Sequence, residues 1–173
     1  MRATRRQALL VAGAALVAPA PAFADAEEDR AKASLAAVLR LEQTALVAYE
    51  AIANSGVLKD VLRGFLDQEH QHAAQLVTTL DGMGAKPPIP PRRTDIQGLD
   101  AALRSRAAAA RFAIDLELRT IAAYQDALRD LTDPNAMRIS AGAMGTDAQQ
   151  LVVLRELAGE DPLPRALERG RPA

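Results

Sequence analysis

Apolar residues recur along most of the chain at spacings of three and four, the repeat of one helix face, and no alternating run of useful length suggests a strand. Four segments carry the pattern. The first is predicted from about Ala26 to Asn54, with Leu35, Val38, Glu42, Leu46, Tyr49 and Ala53 in its inward stripe. Asp25, Glu27, Glu28 and Asp29 suit the positive end of its dipole, and Asn54-Ser55-Gly56 supplies the stop. The second is predicted from about Lys59 to Leu80, ending at Gly82, with Leu58, Leu62, Phe65, Glu69, His72, Leu76 and Leu80 inward. The third should occupy Leu99 to Leu131, with Leu103, Ala110, Ile114, Glu117, Ile121, Tyr124 and Leu128 inward, closed by Thr132-Asp133-Pro134. The fourth should span Asn135 to Ala158, with Ile139, Ala143, Asp147, Gln150, Leu154 and Leu157 inward, and stop at Gly159.

The connections differ in kind. Only a few residues join the first helix to the second and the third to the fourth, so each pair is predicted to be an antiparallel hairpin. Between the pairs lies GMGAKPPIPPRRTDIQG, whose prolines forbid helix and favour an extended chain. Ala85 to Gln97 can span about 40 Å at about 3.1 Å per residue, and a helix of about 25 residues is about 37 Å long. The segment is long enough to run the length of a bundle. The expected fold is therefore all-α, a four-helix bundle of two hairpins joined by one long proline-rich crossover. An internal repeat supports the pairing: Leu41-Glu42 to Tyr49 matches Leu116-Glu117 to Tyr124 at an offset of 75 residues.

The amino terminus reads differently. A basic start, an apolar run from Ala8 to Ala18 and Ala22-Phe23-Ala24 have the form of a cleaved export signal over residues 1–24. The run is shorter than the roughly 20 residues needed to span a bilayer. Thr4-Arg5-Arg6-Gln7-Ala8-Leu9-Leu10 resembles a twin-arginine signal, with a general secretory signal as the alternative. The expected location is the periplasm or the exterior, with no membrane association after cleavage. The mature chain would run from Asp25, with the bundle over 25–160 and a tail over 161–173. Loss of Arg2, Arg5 and Arg6 leaves 18 basic residues against 22 acidic ones, a balance that argues against nucleic acid as the main partner. The sequence holds no cysteine or tryptophan, so stability must come from packed Leu, Ala, Ile and Val. No surface pattern specifies an assembly, and a homo-oligomer is kept as an alternative.

Both histidines of the chain fall in FLDQEHQHAAQL. Glu69 and His72 are three apart, which puts them on one helix face, and that face is the inward one; His70 falls off it. Glu42, Glu117, Asp147 and Gln150 interrupt the other three stripes at matching depth. Buried carboxylates must be neutralised, paired or bound to a metal, and no inward lysine or arginine accompanies them. A cation is the simplest compensation, and carboxylates with imidazole suit iron or manganese.

Carried by LEQTALVAYEAI, FLDQEHQHAAQL, IDLELRTIAAY and MGTDAQQLVVLREL, the chain resembles the exported ferritin-like domain proteins of bacteria, relatives of the di-iron carboxylate bundles. That family takes one Glu from each of two helices and Glu-x-x-His from each of the other two. The resemblance implies Glu42 and Glu117 as terminal ligands, Glu69 as a bridging one and His72 as the imidazole of the first metal. The fourth helix departs, with Asp147-Ala148-Gln149-Gln150 where the family has Glu-x-x-His. Asp147 could still assist, but the amide of Gln150 is a poor substitute for imidazole. One or two iron ions, with manganese as the alternative, are implied as cofactors, and iron oxidation, storage or peroxide chemistry as the role. The rival is a bundle that has lost catalysis and serves as a structural or stress-associated binding protein.

Overall fold

The computed structural model describes residues 21–171. Residues 1–20, with most of the expected export signal, and residues 172–173 lie outside the described residues. The elements are α1 (Pro21–Asn54), α2 (Lys59–Gly82), a 3-10 turn (Arg93–Asp95), α3 (Leu99–Ala102), α4 (Arg106–Asp130) and α5 (Pro134–Ala158). Four long helices thus appear where the periodicity placed them, with two boundary corrections. The first helix begins at Pro21 rather than Ala26. The third is not continuous from Leu99, because Ser105 is extended (φ −162°, ψ 160°) and its side chain accepts the N–H of Ala108 at 3.2 Å. It is an N-cap, satisfying a donor that the start of α4 leaves unpaired. Leu103, expected on the inward stripe, lies in this break and is half-buried.

The turns show how local strain is set against burial. Leu58 precedes α2 in a left-handed conformation (φ 52°), at a cost of about 1–2 kcal/mol for an L-residue. Its side chain is fully buried, and burying a leucine contributes about 1.5–3 kcal/mol, so burial wins. At its other end α2 stops at Gly82, as expected. The left-handed residue is Gly84 (φ 71°), with the N–H of Ala85 donating to the Leu80 carbonyl at 2.9 Å. The expected stop at Gly159 is observed, with φ 74°.

Helix α1 packs on α2 and α4 on α5, and between the hairpins the main contact is α1 along α4. These two run antiparallel: Ser34, early in α1, donates to Asp130 at the end of α4, while Tyr124 donates to Glu42 and Tyr49 to Glu117. Antiparallel hairpins then make α2 and α4 parallel, as the long crossover required. The crossover is pinned midway, where Gln43 Nε2 donates to the Pro88 carbonyl at 3.1 Å.

The tail over 161–173, read only as a tail in the sequence, docks in a comparable way as far as residue 171. The N–H of Arg171 donates to the Leu118 carbonyl at 2.7 Å, and position 118 is the repeat equivalent of position 43. Glu168 pairs with Arg155 at 2.6 Å in a largely shielded contact, and its carbonyl accepts from Gln125 at 3.2 Å. Each hairpin is therefore followed by an extended segment fastened to the same point of its own first helix.

The core is divided. One apolar compartment contains Tyr49, Ile52, Leu58, Leu62, Ile114, Leu151 and Leu154. The other contains Leu35, Val38, Leu39, Leu76, Leu80, Tyr124 and Ala143. Between them lies a layer of buried polar side chains. Among the described residues no helix is long and apolar enough to cross a membrane.

Candidate metal centre

The polar layer holds all six residues singled out in the sequence. Glu42, Glu69, His72, Glu117, Asp147 and Gln150 are each at most 7% exposed, and His70, the other histidine, faces solvent. No lysine or arginine is buried among the described residues. The helical phase that aimed these groups inward is therefore the observed one, although Ala45 and Ser140 are buried where the stripes had Leu46 and Ile139.

The six do not converge equally. One oxygen each from Glu42, Glu69 and Asp147 and a ring nitrogen of His72 all lie within 4.8 Å of one another. His72 Nδ1 is 3.4 Å from Asp147 Oδ1, 3.6 Å from Glu42 Oε1 and 3.8 Å from Glu69 Oε2. These separations are too long for good hydrogen bonds. They match the roughly 3.4 Å edge of a tetrahedron whose centre-to-ligand bonds are about 2.1 Å, the length of bonds from a first-row ion to nitrogen or oxygen. His72 Nδ1, both oxygens of Asp147 and Glu42 Oε2 are buried without a hydrogen-bond partner in the protein. Buried polar atoms are almost always paired, so four orphans on converging side chains need an explanation. A cation bound by all four residues supplies one, and the donor set fits it.

Glu117 and Gln150 stand differently. Glu117 is outside the converging group, and its carboxylate accepts the Tyr49 hydroxyl. Gln150 Nε2 donates to Glu69 Oε1 at 2.7 Å and to Gln68 Oε1 at 3.1 Å. It orients a carboxylate instead of contributing a nitrogen lone pair. The tyrosines were read from the sequence as core residues with a hydrogen-bonding tip, and they are more specific than that. Tyr124 donates to Glu42 Oε1 at 2.5 Å while Tyr49 donates to Glu117, so each tyrosine reaches the glutamate of the other hairpin. The 75-residue repeat held the information, since it pairs Glu42 with Glu117 and Tyr49 with Tyr124.

The electrostatics are those of charges crowded in a dry interior. Burial, then the Glu69 charge, pushes the Glu42 carboxyl up to about 8. Burial, with Glu69 next, holds Glu117 well above the carboxylate range, and burial with the charge of Glu117 does the same for Asp147. Burial also acts to raise Glu69, but neighbouring Glu42, His72 and Gln150 outweigh it and keep this acid below its ordinary value. For His72 burial works against the charged ring, and the adjacent Glu42 and Glu69 overcome it, lifting the imidazole to about 10. Crowding of carboxylates in the interior thus favours protonation of Glu42, Glu117, Asp147 and His72 over a bare negative cluster. A surface groove lined by Ala74, Thr78, Met83, Ala136 and Ile139 among others includes none of these residues.

Comparison with known proteins agrees with this architecture. A crystal structure of a conserved hypothetical protein from Mycobacterium tuberculosis superposes with a TM-score of 0.67 at 18% identity, over 82% of this chain and 99% of that one. At that identity the likeness concerns the fold. No curated protein matches the sequence significantly. Residues 39–160, which include both hairpins from Leu39 onward and the whole polar layer, match the ferritin-like domain family, and the chain belongs to that family.

Proposed function

We propose that this protein binds one iron or manganese ion through Glu42, Glu69, His72 and Asp147. The observation that carries the reading is His72 Nδ1, buried, unpaired and facing three carboxylate oxygens at 3.4–3.8 Å. One nitrogen and three oxygens are a donor set suited to these ions. A bound iron or manganese would supply a Lewis acid capable of one-electron redox chemistry. The residues around it have separable tasks. Tyr124 holds Glu42 Oε1, the same oxygen that lies 3.6 Å from His72 Nδ1, and so orients that carboxylate. Gln150 fixes Glu69. The two apolar compartments keep water from the layer from either side.

The family resemblance supports iron handling or peroxide-related chemistry as the role. The twin-arginine pattern at Arg5-Arg6 supports export to the periplasm, a route that carries folded proteins and so allows loading beforehand. Changing Arg5 and Arg6 to lysine should block export by that route and leave a general secretory signal working. A second reading, a bundle that has lost catalysis, is favoured by one feature: α5 offers the amide of Gln150 where the family pattern has histidine.

The experiment is elemental analysis of protein purified without chelators, followed by titration of the metal-free form with manganous ion. About one equivalent per chain, lost in Glu42→Ala, Glu69→Ala or Asp147→Ala, is the expected result. A chain that takes up no ion at neutral pH would sink the proposal.

A further inference from the structure

Gln68, His72, Gln75 and Thr79 follow one another on α2 at intervals of four, three and four, the spacing of a single helix edge. The hydrogen bond from Gln150 Nε2 to Gln68 Oε1 shows that this edge faces α5. Further along, Gln75 and Thr79 line one groove together with Ala136 and Ile139 of α5. The row therefore follows the seam between α2 and α5. These two helices touch far less than α1 touches α2 or α4, or α4 touches α5. The seam is closed at one end by the Gln68–Gln150 contact and opens at the other into the groove, whose volume is about 870 Å³. His72 lies between the two. Gln75 is three residues beyond it, about 4.5 Å along the helix axis, so the groove ends within one turn of the imidazole. Exposure of the converging residues has the same bias: Glu42 and Asp147 are 0% exposed and Glu69 1%, against 7% for His72.

We propose that the groove and the α2–α5 seam form the entrance through which a divalent cation reaches the centre, with His72 the first ligand it meets. The lining suits a cation. Glu27, Glu28 and Asp133 bring three carboxylates to the groove, and no lysine, arginine or histidine lines it. Lys32 pairs with Glu28 at 2.6 Å, and Asp133 also caps α5. Charge of one sign along a cleft raises the local concentration of the opposite ion. Between these acids and His72, the amide of Gln75 and the hydroxyls of Thr78 and Thr79 supply oxygens, which suit a hydrated divalent ion. The Gln68–Gln150 contact gives the seam its far limit, beyond the centre.

This inference rests on the proposed metal site, and two measurements keep them apart. Metal-free wild type, Gln75→Phe, Glu27→Lys/Glu28→Lys and His70→Phe are mixed rapidly with manganous ion, and uptake is followed by loss of the free ion's electron-spin resonance signal. Gln75→Phe sets a ring across the seam and should slow association and dissociation alike, each by at least about tenfold. The dissociation constant should stay unchanged, which loss of a ligand would not allow. Glu27→Lys/Glu28→Lys should slow association at low salt and approach wild type at about 1 M salt, where the screening length is about 3 Å. His70→Phe, a ring on the solvent-facing side of α2, should match wild type in both rates. The second measurement needs no metal: deuterium exchange at the imidazole C2 carbon, with His70 as the exposed reference, should be slower for His72 in Gln75→Phe than in wild type. Unchanged uptake or unchanged His72 exchange in Gln75→Phe overturns the inference, as does equal slowing in His70→Phe or a salt-independent rate in the charge-reversed variant. A wild type that takes up no ion defeats the proposed function, and the exchange measurement then judges the opening by itself. If circular dichroism shows Gln75→Phe unfolded, Thr79→Phe, one turn nearer the mouth, takes its place.

Discussion

In the first hairpin, Glu42 on α1 and Glu69 with His72 on α2 bring three ligand atoms to one point. In the second, Glu117 on α4 is taken by Tyr49, and α5 contributes Asp147 and an amide that serves Glu69. The hairpins share a Glu–Tyr spacing and an extended segment fastened at equivalent positions 43 and 118. The difference teaches that pseudo-equivalent scaffolds need not give equivalent chemistry. A helix face delivers a residue to the right depth, but how the four helices pack decides whether its carboxylate converges with the others.

Exchanging the imidazole for nothing breaks the comparison most severely. His72→Ala removes the one nitrogen donor and should weaken manganous-ion binding more than about 100-fold, beyond the 10–100-fold typical for loss of an outer partner. Calorimetric titration measures it, and His70→Ala, altering a solvent-facing ring, should bind like wild type.

Metal-free stability should depend on pH in a direction that the crowded acids set. The folded state lifts Glu42 from 4.5 to about 8, so between those values it keeps a proton that the unfolded chain has released. The contribution of Glu42 to stability is full below about 4.5 and is lost as pH rises through about 8. His72, lifted from 6.5 to about 10, contributes stability that is full below 6.5 and lost as pH rises through about 10. Depressed Glu69 acts oppositely, at the acid end. Denaturant unfolding of the metal-free protein should therefore show stability falling by a few kcal/mol between about pH 6 and pH 10. Bound metal requires deprotonated ligands, so the loaded protein should lose far less over that range. Coincident curves for the two forms would exclude a buried cluster of this kind.

Gln150→Leu sharpens the contrast at its weak side. It deletes the amide that orients Glu69 while nearly keeping volume, and should weaken binding about tenfold. If Gln150 were itself a ligand, the loss would approach that of His72→Ala.

The smallest effect concerns what fastens the second hairpin. Gly170 has φ 65°, and a Cβ there would lie 2.5 Å from the Ala122 nitrogen and the Leu118 carbonyl oxygen of α4. Gly170→Ala should release the tail, lowering stability by about 1 kcal/mol and leaving the ion count unchanged. Protease cleavage near residue 165 would report the release.

The inward phase of every site residue was legible in the sequence because helical periodicity fixes direction, and burial enforces it along a whole stripe. The long crossover was legible because proline excludes helix. Ser105 was misread as helix interior, since flanking alanines and leucines continue the period across it and only the backbone shows that its hydroxyl caps α4. The end of the second helix at Gly82 was legible from glycine punctuation, but composition cannot say that the left-handed turn follows at Gly84.

Determined by the sequence alone were the all-helical class, the pairing into two hairpins, and a set of six polar residues at one depth in the core. These follow from local rules: periods of three and four, glycine and proline punctuation, and a repeat that places like residues at like heights. Only the tertiary structure decided which of the six meet. Glu42, Glu69, His72 and Asp147 come within 4.8 Å of one another, Glu117 is bound by Tyr49 and Gln150 by its contact with Glu69. Such choices depend on differences of an ångström in how four helices rotate and slide against each other. They are set by summed packing across the bundle, which no single segment encodes.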